Sequence, residues 1–305
     1  MNPRNDNQSL RIMKFKSLIR KRVLHICLYL AVLLVVASVL GPYLWLVSSS
    51  FKTSLEIQSA DITKPGKEPR WIPRTLTLEN YLKVNKTVPM LDYLKNSMII
   101  STGTMGFSIF ISLFAAYALS RIRFRMKKAY ELSLYSTQMF PGIAFLIPYY
   151  MIFIYVNRYL GIPLKNTYWG MIFTYTSFAL PFSILMLRNY LDSIPREIDE
   201  QAQIDGCSRA QVVFRIIFPT SIPGIVSVGI YSFIMAWNEI LFASVLTGRE
   251  TRTVSIGLLE YITIQQSRWG GMMAACLLVS IPVLIFFTLL QKQIVKGLVH
   301  GAMKG

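Results

Sequence analysis

The sequence predicts an all-α membrane protein with six transmembrane helices, on two observations and one physical argument. The 305-residue chain is 53% hydrophobic and only 15% charged, whereas a soluble domain usually carries about 25% charged residues. Several apolar runs reach the roughly 18–20 residues that cross a bilayer. Because every backbone N–H and C=O must be satisfied internally in hydrocarbon, these runs are predicted to be helices.

Apolar runs separated by charged or turn-forming stretches place the spans in order. The predicted spans are Val23–Ser49, Asn96–Ser120, Leu132–Val156, Tyr168–Leu187, Ser221–Leu246 and Gly271–Leu290. They divide the chain into a basic N-terminal segment, a transmembrane domain and a C-terminal tail. These parts cover residues 1–22, 23–291 and 292–305, with an outer loop at 50–95 and a charged loop at 192–219 between spans four and five.

Basic residues predict the orientation, because cytoplasmic loops carry an excess of lysine and arginine. They crowd before the first span and in the short loop after the second, at Arg4, Arg11, Lys14, Lys16, Arg20, Lys21, Arg22, Arg121, Arg123, Arg125, Lys127 and Lys128. Both termini and the 192–219 loop are therefore expected in the cytoplasm, and the 50–95 loop outside. The net charge of +17 is read as an orientation signal and not as a nucleic-acid surface. The cluster from Arg121 to Lys128 is expected to anchor lipid headgroups rather than bind a ligand.

The chain lacks the motifs of an enzyme or a motor. It contains no G-x-x-x-x-G-K-[ST] phosphate loop, no H-E-x-x-H, no G-x-S-x-G and no cysteine spacing typical of a metal site. Ion-coupled carriers need ionisable relays within the membrane, and here Glu239 is the clear acidic residue inside a predicted span. The sequence therefore predicts a non-catalytic conduit whose energy comes from a partner. The alternatives are an autonomous channel or secondary carrier, and a membrane-embedded enzyme.

The loop between spans four and five is predicted to form two short helices joined at a glycine. Pro195 suits a first helical turn, and the acids at 197, 199 and 200 favour the positive end of a helix dipole. Gly206 is placed to end the first helix, and Ser208 with Gln211 forms a capping box for the second.

The two predicted helices have different surfaces. The first is expected to be acidic and exposed, with Ala202 offering a small surface for close approach. The second presents an apolar face and is expected to stop before Pro219, since proline cannot continue the backbone hydrogen bonding. A compact pair of helices of this kind is suited to binding another protein. The alternative is a solvated connector between spans.

The pattern from Glu200 to Gly206, followed by Ile216-Ile217-Phe218-Pro219, resembles the Glu-Ala-Ala loop of binding-protein-dependent ABC importer permeases. Further motifs resemble the carbohydrate-uptake branch, in particular its maltose G-type permeases. They are Ser49-Ser50-Phe51-Lys52, Leu78-Glu79-Asn80-Tyr81, Ala115-Ala116-Tyr117-Ala118-Leu119-Ser120-Arg121, Met139-Phe140-Pro141-Gly142, Trp237-Asn238-Glu239 and the glycine-containing tail from Gly297 to Gly305. The resemblance extends from about residue 25 to the end of the chain.

The resemblance implies a coupling helix that docks on an ATPase. The implied coupling residues are Glu200, Gln201, Ala202, Asp205, Gly206 and Pro219, with Glu200 pairing with a basic residue of the ATPase. Gln201 departs from the family's alanine, and Cys207 replaces a common alanine. The tail, including Lys304 and Gly305, is expected to reach between two ATPase subunits. The outer loop from Arg249 to Arg268 lies where the family contacts its binding protein.

The role of the Trp237-Asn238-Glu239 motif stays open between lining the transport cavity and packing. For Glu239, a structural role in packing is favoured over contact with substrate hydroxyls, because an acid within a span is costly unless it is paired or hydrated.

As a whole, the resemblance implies a permease subunit of an ATP-driven importer of sugars or oligosaccharides, forming half of the pathway. The implied partners are a second, related but distinct permease, a dimer of ATPase subunits, a solute-binding protein outside the cell and membrane lipid. ATP and magnesium would be bound by the ATPases, and this chain would need no cofactor or metal. The implied location is the bacterial cytoplasmic (inner) membrane, in multi-pass form.

Overall fold

A computed structural model describes the chain at residues 3–60, 63–64, 68–262 and 268–302, and the regular elements within these ranges are helices. The α-helices are α1 Pro3–Ser50, α2 Ser54–Gln58, α3 Glu79–Thr87, α4 Met90–Arg121, α5 Lys127–Met139, α6 Leu146–Leu160, α7 Tyr168–Asp192, α8 Glu197–Ile204, α9 Arg209–Val212, α10 Phe218–Thr220, α11 Ile222–Asn238, α12 Leu241–Leu246, α13 Val254–Leu259 and α14 Trp269–Ala302. The predicted all-α membrane fold is confirmed.

Five described helices are long and apolar enough to cross a membrane, and a bent pair raises the number to 6 if it is one span. The predicted first, second, fourth and sixth spans lie within α1, α4, α7 and α14. The bent pair joins Arg209–Thr220 to Ile222–Asn238 at 76° and includes most of the predicted fifth span. The predicted number of spans is therefore consistent with the structure.

The third span differs from the predicted continuous helix over 132–156. α5 ends at Met139, Phe140 is extended at ψ 134°, and a 3₁₀ turn over Gly142–Phe145 leads into α6. Pro141 is the reason, since a proline disfavours helical conformation in the residue before it. The membrane-length helical stretch here is Gly142–Leu160, about ten residues later than the prediction began it.

The chain divides into two compact units, Met1–Asn80 and Tyr81–Gly305. In the first unit the Asn80 side-chain amide donates to the backbone carbonyls of Ser50 and Lys52, both at 2.8 Å. Two motifs that are 28–30 residues apart in sequence are thus joined at the end of α1. The Lys52 ammonium lies 4.0 Å from the centre of the Trp45 ring, and burial lowers its pKa, although the charge of Glu56 opposes this.

The second unit is built on α4, α7 and α11, which pack against one another. Their contacting surfaces carry small buried hydroxyl residues, including Ser101, Thr104, Ser108 and Ser183, as expected where membrane helices approach closely. At one end of this bundle a cluster that includes Leu113, Leu187, Leu191 and Val228 also takes in residues of α8 and α9. The 192–219 loop is therefore packed on the bundle and does not extend freely from it.

Candidate functional site

The loop between the fourth and fifth spans folds as the predicted pair of helices around Gly206. α8 begins at Glu197 and ends at Ile204, and Gly206 follows with a positive φ of 87°. The Gly206 N–H donates to Gln203 O and the Cys207 N–H donates to Ala202 O, at 3.1 and 3.0 Å. These two bonds form a Schellman motif, in which glycine takes the left-handed position at no steric cost.

The capping box that begins the second helix is also confirmed. The Ser208 hydroxyl accepts a bond from the Gln211 N–H at 3.3 Å, and the Gln211 side chain accepts one from the Ser208 N–H at 2.7 Å. Both bonds satisfy amides that a helix start would otherwise leave without partners. The turn between α8 and α9 is therefore held at both of its ends.

The second helix continues further than predicted. It runs through a π-helical segment, Val213–Ile217, into α10, so Pro219 lies inside the helical stretch and does not stop it. A proline removes the N–H that would bond one turn earlier, and π turns accommodate such interruptions. The sharp bend comes only at Ser221, where α11 departs at 76°. Pro219 thus belongs to the joint that carries the loop into the bundle.

The two faces of α8 are sharply different. Asp199 and Ala202 are buried, whereas Glu197, Glu200 and Gln201 are exposed. Ile204 is 84% exposed. Because residues 197 and 204 are seven apart, they lie on one side of the helix. The outward face therefore combines carboxylates with one large apolar side chain.

Ala202 does not offer the exposed surface that the sequence predicted. It is only 6% exposed and packs in the cluster of Leu113, Leu187 and Val212. Its position three residues after buried Asp199 explains this, since residues i and i+3 share one helix face. The small side chain lets α8 approach its own bundle closely.

A buried ion pair fixes the inner face of α8. The Arg121 Nε donates to Asp199 Oδ2 at 2.7 Å, with both side chains 6% exposed. Arg121 also donates to the carbonyl of Ile194 at 3.0 Å, and Arg196 donates to the carbonyl of Ser120 at 2.8 Å. The last turn of α4 is therefore tied to both ends of the segment that leads into α8. The expectation that the whole cluster from Arg121 onward anchors headgroups is wrong for Arg121.

Further polar contacts extend this tie to α5 and α7. The Ser120 hydroxyl donates to Asp192 at 2.6 Å, and Arg188 bonds Asp192 at 2.9 Å and Glu131 at 3.4 Å. Arg188 and Glu131 are only 21% and 18% exposed. The importance of these contacts is geometric, because they connect the ends of three long helices at the level of α8.

Glu239 lies at a break between two helices and not inside a continuous span. α11 ends at Asn238 and α12 begins at Leu241. The Glu239 carboxylate accepts bonds from the N–H groups of Phe242 and Ala243, at 2.9 and 3.1 Å. The buried Tyr175 hydroxyl donates to it at 2.7 Å. The carboxylate therefore caps α12 and links it to α7, and these bonds reduce the cost of partly burying an acid between apolar helices.

The other two residues of that motif have separate surroundings. Trp237 is buried, stacks on Phe233 with ring centres 5.5 Å apart, and accepts a bond from Ser255 at its carbonyl. Asn238 is exposed, and its amide donates to Ile234 one turn earlier. The structure does not bring the three side chains of the motif together into one site.

The loop after α12 is ordered at the opposite end of α4. The Asn96 amide donates to the carbonyls of Glu250 and Arg252, both at 2.9 Å, and the Ser97 hydroxyl accepts the Val254 N–H at 3.0 Å. Tyr261 donates to Val84 O at 2.8 Å. Burial raises the pKa of Tyr261 to about 12, so its phenol stays a donor at neutral pH. α4 thus carries α8 at one end and this loop at the other.

The roles of Arg121 and Ile204 at α8 were not predicted from the sequence. Arg121 was grouped with its basic neighbours, although its position at the end of a span and the acid at 199 were available signals. Ile204 was passed over, although an apolar residue directly before Asp205-Gly206 is conspicuous in a polar helix. Lys304 and Gly305 lie outside the described residues. Within the described residues no group of three potential metal ligands occurs.

Comparisons with known proteins identify relatives over most of the chain. The family model described as binding-protein-dependent transport system inner membrane component matches residues 108–300. The chain is 35% identical to the inner membrane ABC transporter permease protein YcjP of Escherichia coli, over 87% of this chain and 91% of that protein. It is 34% identical to the trehalose/maltose transport system permease protein MalG of Thermococcus litoralis, over 94% of this chain and 99% of that protein.

Other relatives extend the comparison. The diacetylchitobiose uptake system permease protein DasC of Streptomyces coelicolor is 33% identical over 87% of this chain and 91% of its own. A chain in the crystal structure of a bacterial ABC transporter involved in the import of the acidic polysaccharide alginate superposes with a TM-score of 0.71. That match covers 89% of this chain and 96% of the other at 20% identity, and it establishes the fold.

Proposed function

The chain belongs to the family of binding-protein-dependent transport system inner membrane components, and on that premise we propose how it moves sugars across the membrane. It is a permease subunit of an ABC importer and not an enzyme or an autonomous carrier. Its relatives include permeases named for trehalose and maltose, diacetylchitobiose and galactooligosaccharides. Sugars or oligosaccharides are accordingly the substrate class we assign to this chain.

The observation that carries the proposal is the two-faced α8. Its inner face is fixed to the bundle by the Arg121–Asp199 pair and by Ala202, whereas its outer face presents Glu197, Glu200 and Ile204 to solvent. A helix held rigidly on one side and exposed on the other transmits a push from a partner into the bundle. We assign the ATPase subunits as that partner, with α8 at the cytoplasmic end.

The outward face is suited to a groove with a basic rim. Glu200 offers a carboxylate for an arginine or lysine of the ATPase, and Ile204 offers an apolar anchor, as in helix-in-groove recognition. Asp205 and Gly206 end the helix beside that anchor, and Gln201 lies exposed next to Glu200. Gln201 stands where the family has alanine, so it shapes the fit to one particular ATPase.

The transport cycle follows from these assignments. A binding protein delivers the sugar to the outer surface, where the ordered loop after α12 lies. Two ATPases close on ATP, and their motion enters through α8 of this chain and the matching helix of a second permease. Alternating access then passes the sugar through a cavity between the two permeases in the bacterial inner membrane. ATP and magnesium are bound by the ATPases, and the tail with Lys304 and Gly305 reaches toward them.

The test is retention of the ATPase by the tagged chain purified from its native membrane. Glu200→Lys reverses the charge at the proposed contact, and Ile204→Ser removes the apolar anchor. Full burial of an isoleucine contributes roughly 1.5–3 kcal/mol, so Ile204→Ser weakens ATPase binding about 10- to 100-fold. Asp92→Lys, at an exposed position at the other end of α4, is the matched charge control and retains the ATPase. Unchanged retention and ATP-driven uptake in both α8 variants would exclude α8 as the docking element.

A further inference from the structure

We propose that the hairpin between α4 and α5 binds one anionic phospholipid, with an acyl chain in an apolar cavity and the phosphate on the basic loop above it. The cavity, of about 580 Å³, is lined by Ala115, Ala118, Leu119, Phe124, Met126, Ala129, Tyr130 and Ser133. Its volume lies in the range of roughly 300–1,000 Å³ that is typical of ligand sites. Its walls are almost entirely apolar.

The cavity runs along the two helices from the loop that joins them. Ala115 lies six residues before Arg121 on α4, and Ser133 lies six residues after Lys127 on α5, which is about 9 Å along each helix axis. Alanine at 115, 118 and 129 leaves the space that larger side chains would fill. The opening is therefore deep enough to take part of an acyl chain below the level of the loop.

The mouth of the cavity is basic. Phe124 and Met126 line the cavity and are themselves 42% and 67% exposed; the exposed Arg125 lies between them in sequence, and the exposed Arg123 directly precedes Phe124. Arg123, Arg125 and Lys128 have no acidic partner in the part of the chain that the structure describes. By contrast, Lys127 faces Glu131 at 4.0 Å. Three uncompensated cations beside an apolar cavity at a membrane surface match an anionic headgroup and its chain.

Arg121 differs from the three uncompensated cations of this loop, because it already has an acidic partner. Arg121 is bound to Asp199, and Glu131 is bound by Arg188, so both of these charges already have partners within the protein. The remaining charges thus form a site of one sign. The cavity and its basic loop lie at the same end of α4 as α8. In the proposed orientation, the bound phospholipid would therefore belong to the cytoplasmic leaflet.

The experiment uses the complete transport complex in vesicles containing phosphatidylglycerol with a photoreactive group in its acyl chain. After illumination, labelled peptides are mapped by mass spectrometry. We expect labelling concentrated in residues 115–133, and stronger with phosphatidylglycerol than with a matched phosphatidylcholine probe. Arg123→Gln/Arg125→Gln should reduce the phosphatidylglycerol signal roughly fivefold for each cation removed. Labelling of the exposed apolar residues of α1 is the internal control and stays constant.

A second variant tests the cavity separately from the charge. Ala129→Leu fills the cavity from an exposed position of α5, so it leaves the bundle intact and reduces labelling severalfold with the charges unchanged. Equal labelling by the two probes would show ordinary surrounding lipid and overturn the proposal. Labelling of α1 without any in 115–133 would show that the second permease covers the cavity, and would overturn it equally. Neither result bears on ATPase retention, which tests the proposed function alone.

Discussion

The Arg121–Asp199 pair provides the most exact prediction, because both partners are 6% exposed and the contact is 2.7 Å. Removing one partner of a buried pair leaves an uncompensated charge and costs roughly 3–5 kcal/mol. Replacing both with apolar side chains of similar volume is far less costly. Arg121→Met and Asp199→Leu alone should therefore release α8 from the bundle, whereas the double variant should largely keep it docked.

Cys207 reports this release, since it follows the α8 cap and is only partly exposed. In a chain carrying Cys27→Ser and Cys276→Ser, the rate of thiol labelling measures the undocked population. A loss of 3 kcal/mol or more raises the undocked population about a hundredfold, at tenfold for each 1.4 kcal/mol. The labelling rate rises by less than this, because the partly exposed thiol also reacts while α8 is docked. The double variant should label within about tenfold of the parent. The remaining difference in labelling rate from the parent reflects the Ile194 carbonyl, which loses its hydrogen-bond donor when Arg121 is replaced.

The matched control is Arg215→Met, which makes the same change at an exposed arginine of the following helical stretch and leaves the labelling rate unchanged. Two results would contradict a role of this ion pair in holding α8. Parent-like labelling in both single variants would show that the pair does not hold α8. Strictly additive effects in the double variant would show that the two side chains do not act on each other.

Three further predictions concern the Gly206 cap of α8, the helix break at Glu239 and the loop after α12. Gly206→Ala places a Cβ on a residue with φ 87°, so it should destabilise α8 by about 1–2 kcal/mol and raise the rate of Cys207 labelling. Ser208→Gly keeps a residue that is tolerated at a helix start, so it should raise the labelling rate less. Glu239→Ala removes the cap of α12 and should lower the stability of the complex, measured by thermal unfolding, by about 0.5–2 kcal/mol. Glu239→Gln should have an intermediate effect. Equal stability of the parent and both variants would contradict the capping role. Asn96→Ala leaves two loop carbonyls without their donor and should cost about 1–3 kcal/mol, seen as faster amide exchange at 250–254 with α8 unaffected.

Local sequence chemistry was sufficient to predict the helices of the 192–219 loop. The glycine at 206 and the Ser208–Gln211 pair act on their own neighbours, so their geometry does not depend on distant parts of the chain. The span boundaries were less predictable. The Phe140-Pro141-Gly142 signal was present in the sequence, but the apolar composition around it favoured a continuous helix.

Contacts between distant segments could not be predicted in the same way. Arg121 and Asp199 are 78 residues apart, and before folding Arg121 resembles its basic neighbours at 123 and 125. The burial of Ala202 likewise depends on which face of α8 meets the bundle, and that face is chosen by Asp199. The Glu239 carboxylate was recognised as costly, but its partners on α7 and α12 follow from the helix break after Asn238.

The most direct test of energy entry through α8 is a reversible cross-link at its outward face. In a chain carrying Cys27→Ser, Cys207→Ser and Cys276→Ser, Ile204→Cys with a photoreactive group on a reducible disulfide is assembled with the complete complex in vesicles. ATP-driven sugar uptake is followed before and after illumination. We expect attachment to the ATPase subunit, arrest of uptake, and recovery when the disulfide is reduced. Leu55→Cys, exposed in the first unit, is the control. Attachment only to other proteins, or uptake that continues with the ATPase cross-linked at residue 204, would contradict energy entry through α8.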